Sequence, residues 1–146
     1  MKIQFNKLPK SAKKSLIQYF VIDGCDERFQ SLLINIEGQV KEHEWIDLIT
    51  LAEHYWTDHL YELITLNIND AIKMVWDNSS ELQEDYSNFN EYHQDYINGG
   101  DIPNHTNNDW PILFSPDGFE AILDGWHRFH SYIKNQHNKI HFIILS

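Results

Sequence analysis

Cysteine is nearly absent from this sequence, since Cys25 is the only one among 146 residues. An internal disulfide needs two cysteines and a thiolate metal cluster needs several, so both are excluded. The hydroxyl residues do not replace the missing thiols as nucleophiles. Ser15, Ser31 and Ser131 form no recognisable grouping with a histidine base and an acid.

Long apolar runs are also missing. No stretch approaches the roughly 18 apolar residues that would cross a bilayer. The basic region Lys2–Lys14 leads into Ser15–Ile22, which lacks the apolar core and the small-residue cleavage site of a signal peptide. We therefore expect a cytoplasmic protein without a membrane partner.

Basic residues are scarce, with 11 Lys and Arg against 22 Asp and Glu and a formal net charge of -11. All acidic residues lie between Asp23 and Asp124, and the segment from Glu42 to His127 has 18 of them against one base, Lys73. Such a surface repels the phosphates of nucleic acids, so direct DNA or RNA binding is disfavoured. After Asp124 the acids stop and three bases follow.

The sequence does contain enough apolar material for a folded core. Hydrophobic residues make up 42% of the chain and aromatic residues 14%. Its length fits one domain of ordinary size, which buries about two thirds of the surface that the unfolded chain exposes. We therefore expect a single compact unit.

Helical periodicity marks two segments of the first third. Pro9–Phe20 has apolar residues at helical spacing and predicts a short amphipathic helix, and Glu44–Trp56 predicts a second helix. The segment Phe29–Ile36 fits a helical turn or a strand equally well. Leu60–Ile68 alternates between apolar and polar residues, which predicts a strand.

Further helices are predicted before residue 100. Ala71–Trp76 predicts a short helix capped by Asn69 or Asp70. Ser80 followed by Gln83 is a capping-box pattern, and the helix that it opens is predicted to continue to Ile97. One face of that helix is aromatic and predicted to be buried, with Leu82, Tyr86, Phe89, His93 and Tyr96. The other face is acidic and predicted to be solvated, with Glu81, Glu84, Asp85, Glu91 and Asp95.

The last third alternates strands, turns and a helix. Residues 101–109 have the composition of a loop. Strands are predicted over Trp110–Ser115, Phe119–Leu123 and Lys139–Leu145, with a turn at 116–118 and a helix over Gly125–Asn135.

The segment Asp124-Gly125-Trp126-His127-Arg128 predicts an anion site where a strand turns into a helix. The first N–H groups of a helix lack intrahelical partners and lie at the positive end of its dipole. Gly125 allows a sharp turn and close approach of a ligand to the backbone. His127 and Arg128 add one titratable donor and one permanently charged donor that suit phosphate oxygens.

The stretch WPILFSPDGFEAILDGWHRFHSYIKNQHNKIHFIIL resembles the core of the ParB/sulfiredoxin-like superfamily, in which two strands and a Pro-Asp-Gly turn precede a glycine-led helix start. The resemblance covers about 37 residues, Trp110 to Ser146, and residues 60–76 extend it as an earlier strand and helix. It implies an α/β (α+β) fold with a small mixed sheet and flanking helices. The domain would span residues 57–146, with residues 1–56 as a mostly helical extension.

In this superfamily the helix start holds nucleotide phosphates: ParB partition proteins bind CTP, sulfiredoxins use ATP, and free serine kinases belong here too. The resemblance implies that Gly125, Trp126, His127 and Arg128 bind ATP or CTP with Mg²⁺. It further implies that Asp124 orients the metal or accepts a proton, with His127 as its catalytic partner. Glu62 or Asp70 would be a general base. A phosphotransferase or nucleotide hydrolase would use these residues, and whether the chain is an enzyme stays open at this point.

The sequence departs from two branches of the superfamily. Sulfiredoxins carry their reactive cysteine directly after the glycine, where this chain has Trp126, so sulfinic acid reduction is not expected. ParB proteins continue into a helix-turn-helix domain, whereas this sequence ends at Ser146, just after the last predicted strand. We therefore do not expect a sequence-reading partition factor.

Simpler interpretations remain open for the same residues. Asp124 could be only the N-cap of the last helix, and His127 and Arg128 could be structural partners of nearby acids. The nine histidines give no metal-binding spacing: His127 and His130 could share a helix side, but no third ligand accompanies them. We therefore expect no structural metal site.

A function of a different class also fits the charge. Eighteen carboxylates on a compact body can imitate the charge array of a nucleic acid and occupy the binding groove of a basic nucleic-acid-binding protein. The alternative prediction is thus a non-enzymatic acidic inhibitor of phage or mobile-element origin, of the anti-defence type.

Overall fold

A computed structural model describes residues 1–99 and 110–145 of the chain. The chain divides into two compact units, Met1–Tyr61 and Glu62–Ser146, whereas the sequence placed the boundary between residues 56 and 57. Helices combine with a mixed sheet, so the predicted α+β fold class is confirmed. The loop predicted over residues 101–109 lies outside the described residues.

The first unit is mostly helical. Its elements are β1 (Lys2–Gln4), a 3-10 turn (Phe5–Lys7), α1 (Lys10–Ile17), a π-helical turn (Gln18–Asp23), a second 3-10 turn (Glu27–Phe29), α2 (Gln30–Leu33) and α3 (Glu42–Tyr55). The two predicted helices are confirmed as α1 and α3. The ambiguous segment around residues 29–36 is helical rather than extended.

Helices α1 and α3 pack through apolar faces and pair through their charges. Leu16 of α1 and Leu48 of α3 are buried completely. Lys13 donates to Glu53 at 3.0 Å, and the ammonium groups of Lys10 and Lys14 both reach the Glu42 carboxylate. Three lysines of the basic N-terminal segment therefore form ion pairs with acids of their own unit.

The second unit continues from β2 (Leu60–Asn67), which crosses the boundary. Its further elements are α4 (Ile68–Asp77), α5 (Ser80–Asp85), α6 (Phe89–Asn98), β3 (Ile112–Phe114), β4 (Ile122–Asp124), α7 (Trp126–Lys134) and β5 (Lys139–Ile144). All four predicted strands of this part of the chain are present, with the strands around the 116–118 turn shorter than predicted.

The sheet of this unit has the order β2-β5-β3-β4. Strand β5 runs antiparallel to β2 and parallel to β3, and β3 runs antiparallel to β4. In β5 the buried Ile140 and Phe142 alternate with the exposed Lys139 and His141. Ile140 and Phe142 therefore share one face of the sheet, and both belong to the core of this unit.

The single helix predicted over Ser80–Ile97 is wrong, because two helices stand in its place. Tyr86 is extended and ends α5, and the Asn88 side chain begins α6 by accepting a hydrogen bond from the Glu91 amide at 2.9 Å. The capping box is also wrong: the Ser80 amide donates to the Gly118 carbonyl, and the Gln83 side chain donates to Trp76.

The cap predicted for the preceding helix is wrong as well. Neither Asn69 nor Asp70 precedes α4, which begins at Ile68 with Asn67 as its cap. The Asn67 side chain accepts from the Asp70 amide at 2.8 Å. Asp70 is therefore the residue that is capped and not the cap itself.

The core of the second unit lies between the sheet and helices α4, α6 and α7. Its fully buried members include Val75, Ile122, Phe129 and Phe142. Across residues 1–99 and 110–145, none of the helices has the length and apolar character that crossing a membrane requires.

Substitution of Phe129 tests how much this core contributes to stability, because the buried ring of Phe129 contacts both Phe89 and Phe142. We expect Phe129→Ala to lower the free energy of unfolding by about 3–5 kcal/mol, since it removes a large ring and leaves a cavity. Urea denaturation followed by circular dichroism measures the loss. Phe119→Ala deletes the same ring where it is 57% exposed, and should change stability by less than ~0.5 kcal/mol.

Candidate functional site

The sequence predicted a turn from strand to helix at Gly125. This turn, which we call the elbow, is present between β4 and α7. Gly125 has φ 113° and ψ 18° and is the N-cap of α7, and as a glycine it has no side chain with which to cap the helix. This conformation is one that residues with a Cβ rarely adopt. The chain therefore turns from strand to helix at a glycine, and the first amide groups of the nine-residue helix that follows have no acceptors within the helix.

Asp124 is not the N-cap of this helix, so that simpler interpretation is wrong. It is the last residue of β4 and precedes the cap. Its Oδ2 atom lies 3.4 Å from the Nη2 atom of Arg128, which makes the two an ion pair one helical turn apart. The carboxylate thus lies at the elbow, half-buried, beside a fixed positive charge.

Arg128 is buried beneath the elbow, with only 5% of the residue exposed. Its Nη1 group donates to the carbonyls of Trp110 and Pro111, at 3.1 and 3.2 Å. Burial lowers the pKa of Arg128 from its ordinary value, and the Asp124 carboxylate opposes that shift. These contacts tie the start of α7 to the chain that enters β3.

His127 takes the opposite position and is exposed at the second residue of α7. Its Nδ1 atom lies 2.8 Å from the hydroxyl of Tyr96 on α6, and the two rings are 5.6 Å apart. The hydroxyl fixes the orientation of the imidazole. His127 and Arg128, which the sequence placed together as phosphate donors, therefore face different surroundings: one is exposed, and the other has its described contacts inside the protein.

The electrostatics of the elbow still favour an anion. The start of a helix carries a partial positive charge, and a Cβ built on Gly125 would be 3.0 Å from Arg128 Nη2. The guanidinium is thus directly behind the glycine backbone. A phosphate at the amide groups would meet the helix dipole first and the buried cation behind it, with Asp124 cancelling part of that charge.

The predicted general base Glu62 lies away from the elbow. Glu62 is on β2, three strand positions from β4, which is about 14 Å across the sheet. It pairs in register with Ile144 of β5, whereas the other end of β2, at Asn67, leads to Asp70. The sheet therefore separates Glu62 from Asp124, and Asp70 lies in the first turn of α4.

At the elbow, Asp124 would offer Mg²⁺ a carboxylate. Among the residues that the structure describes, no group of three His, Cys, Asp or Glu side chains is arranged to hold a metal ion. Mg²⁺ commonly keeps several waters and binds through one or two carboxylates together with substrate phosphates. The residues therefore fit a magnesium ion that arrives with a nucleotide rather than one that the protein holds alone.

Sequence reasoning missed a pair of histidines beside the elbow. His93 was grouped with the aromatic face of its helix, and His130 with His127, but His93 and His130 contact each other across α6 and α7. The aromatic face itself is confirmed at Phe89 and His93, which are buried, and the acidic face is exposed. Apolar spacing showed that His93 points inward, but no local pattern connects residues 37 positions apart.

Comparison of the chain with family models, with curated proteins and with solved structures finds no match.

Gly125→Ala tests the geometry of the elbow. A Cβ there would need the unfavourable positive φ and would lie 3.0 Å from Arg128 Nη2 and 3.2 Å from the Ile112 side chain. We expect a loss of about 1–3 kcal/mol from the backbone alone, plus the cost of moving the guanidinium. Thermal and urea denaturation measure it.

Gly118→Ala is the matched control, because Gly118 also has a positive φ, 84°, but nothing lies within 4 Å of its Cβ position. It should incur the backbone cost only. Equal losses for the two variants would show that the contact between the elbow and Arg128 contributes nothing.

Proposed function

We propose that the second unit binds a phosphate-bearing ligand at the start of α7, and that this ligand is a nucleotide such as ATP or CTP carrying Mg²⁺. One observation carries the proposal: the N-cap of α7 is a left-handed glycine, which has no capping side chain of its own, and a buried guanidinium lies directly behind it. The resemblance of the last third of the chain to the ParB/sulfiredoxin-like superfamily supports the same ligand. The proposal places the protein in the cytoplasm.

Trp126, His127 and Arg128 would each contribute to phosphate binding in a different way. The amides of Trp126 and His127 would donate to phosphate oxygens, and the exposed His127 imidazole would add a donor from the side. Arg128 would act from below, by holding the elbow in shape and by supplying charge at a distance. This differs from the direct contact that the resemblance implies for Arg128.

Catalysis would centre on Asp124. Its carboxylate could complete the coordination of a nucleotide-bound Mg²⁺, which polarises the phosphates when bound. With His127 as proton donor or acceptor, this arrangement suits phosphoryl transfer or nucleotide hydrolysis. The role proposed for Glu62 would require a ligand long enough to cross the sheet from β4 to β2.

Calorimetric titration of ATP, CTP, GTP and inorganic phosphate, each with and without Mg²⁺, tests the proposal. We expect saturable binding of a nucleotide and about tenfold or more weaker binding by His127→Ala, which removes a charge-assisted hydrogen bond. His137→Ala is the control, because it removes an exposed imidazole beyond the other end of α7. Wild-type protein that binds none of the four ligands rules the proposal out.

A second function is favoured by the charge of the same unit, and we propose it as the alternative. Residues 62–146 contain thirteen acidic and four basic residues, a formal charge of -9. Glu81, Glu84, Asp85 and Glu91 are all exposed. Among the described residues no base forms an ion pair with them. Such a surface suits a basic nucleic-acid-binding protein that would otherwise hold DNA or RNA, and it needs no catalysis.

Reversing these four charges to Lys tests the alternative. Purified basic DNA- and RNA-binding proteins would be captured by the wild type, with an association rate that falls steeply as NaCl rises. The reversed variant should associate at least about tenfold more slowly at low salt. Asp95 is left unchanged because its carboxylate accepts from the Tyr86 hydroxyl.

The matched control reverses four exposed acids of the first unit, Glu27, Glu37, Asp47 and Asp58. It changes the net charge by the same amount in another part of the chain. If both variants slow capture equally, total charge and not this surface decides association, and the alternative function fails.

A further inference from the structure

Two buried histidines meet where α6 packs on α7. His93 of α6 is 5% exposed and His130 of α7 is completely buried. Their Nδ1 atoms are 2.7 Å apart and the rings are almost parallel, with centroids 5.0 Å apart. One ring must therefore donate its Nδ1–H to the lone pair of the other, so the neutral pair has complementary tautomers.

Aromatic rings surround His130 on the remaining sides. Tyr96 stacks on it with centroids 3.7 Å apart, Tyr92 presents an edge at 5.0 Å, and Phe89 lies parallel to it at 6.0 Å. The Nε2 atom of His130 is buried, and none of the residues that the structure describes is hydrogen-bonded to it. A proton added to this atom would therefore lack an acceptor.

The groups that face the pair do not compensate a positive charge. Helix α6 contributes the phenols of Tyr92 and Tyr96, and α7 contributes the imidazole of His127. Strand β3, which packs on α7, carries no titratable side chain. In the part of the chain that the structure describes, no carboxylate is hydrogen-bonded to either imidazole.

The charged side chains next nearest to the two histidines interact with other groups. The Arg128 guanidinium of α7 is hydrogen-bonded to Trp110, Pro111 and Asp124. Glu81 and Glu120 act on the phenol of Tyr92, not on the histidines. An imidazolium in this position would consequently be both desolvated and unpaired.

The two pKa values move accordingly. Burial lowers the pKa of His93 from its ordinary 6.5. Burial also lowers the pKa of His130 to about 3, and the charges of His93 and His127 add to that effect. When α6 separates from α7, both rings are hydrated and return toward the ordinary value. The separated state then binds more protons than the packed state at any pH below about 6.5.

The sign of the pH effect follows. The contribution of the pair to packing is complete above about pH 6.5, where neither state is protonated. It falls as the pH drops from there toward 3, because only the separated state takes up protons. Acid therefore favours separation and base favours packing.

The proton count shows where the bond breaks. The neutral pair holds one proton between the two Nδ1 atoms. A first added proton goes to an Nε2 atom and leaves this bond intact, whereas a second places N–H groups on both Nδ1 atoms, which then repel each other. Two protons taken up from solvent are thus enough to break the contact, and no other reactant is needed.

We propose that the contact between His93 and His130 is an acid-operated release, which holds α6 on α7 in neutral solution and lets α6 leave when both imidazoles are protonated. Release also removes the Tyr96 hydroxyl from His127, at the edge of the proposed anion site. That consequence depends on the proposed function, but the release itself does not.

Hydrogen exchange of backbone amides between about pH 7.5 and about pH 4.5, corrected for intrinsic exchange, tests the release in the wild-type chain. We expect the opening constant of α6 to rise by about tenfold to a hundredfold per pH unit below 6.5, for one to two protons. The amides of β5 should change much less. Equal loss of protection in α6 and β5 would indicate global unfolding, and constant protection of α6 would equally overturn the proposal.

His93→Gln sharpens the test, because its side-chain amide can still donate to the Nδ1 atom of His130 but cannot titrate. The pH dependence of α6 opening should become less steep than in the wild type measured alongside it, by up to about tenfold per pH unit for the one titrating group removed. His137→Gln, which replaces an exposed histidine, should keep the wild-type steepness. Unchanged steepness in His93→Gln would assign the effect to other groups.

Imidazole ¹⁵N spectra of the wild type give a readout that needs no variant. Both rings should stay neutral while α6 is protected and titrate only as α6 opens. Titration of either ring near pH 6.5 with α6 still protected would overturn the proposal even if His93→Gln did not fold.

Discussion

The buried guanidinium of Arg128 is the constraint on which the second unit depends. A cation in an apolar interior is costly unless its N–H donors are paired. The Arg128 guanidinium donates to two carbonyls just before β3, those of Trp110 and Pro111, and to the Asp124 carboxylate at the end of β4. Three parts of the chain that are separate in sequence are thereby fixed around one planar group. Because the guanidinium lies directly behind Gly125, a Cβ at the elbow would be crowded by it and would need a positive φ, and the direction of α7 is set at its N-cap.

Helix α7 has two different electrostatic environments along its length. Its exposed start presents the positive end of the dipole, which suits an anion. One turn later His130 is enclosed by rings, and burial keeps it neutral. The phenol of Tyr96 contacts both levels, since its ring stacks on His130 and its hydroxyl holds His127. A change in the packing of α6 would therefore alter the contact of His127 at the helix start without any movement of the sheet.

The two proposed functions draw on different surfaces of the same unit. A phosphate at the elbow would approach a body of formal charge -9, so that Mg²⁺ on the nucleotide would matter as much for reducing repulsion as for chemistry. A basic protein would be attracted by the exposed acids of α5 and α6 and would not need the elbow at all. Both can hold for one fold, because a fold fixes neither chemistry nor partner.

The sequence by itself determined the elements whose signals are local. Helix α3, strands β2 and β5, and the glycine start of α7 were predicted from periodicity and turn chemistry, and the charge of the second unit is a matter of composition. The break between α5 and α6 had a local signal, because Asn88 is followed three residues later by Glu91, whose amide it caps. No local pattern shows that the Ser80 amide donates to the Gly118 carbonyl, a distant loop atom. Tertiary structure alone decided that Arg128 is buried while its neighbour His127 is exposed, and that His93 meets His130. Burial and pairing depend on what packs opposite a side chain, and spacing along one element carries no information about that.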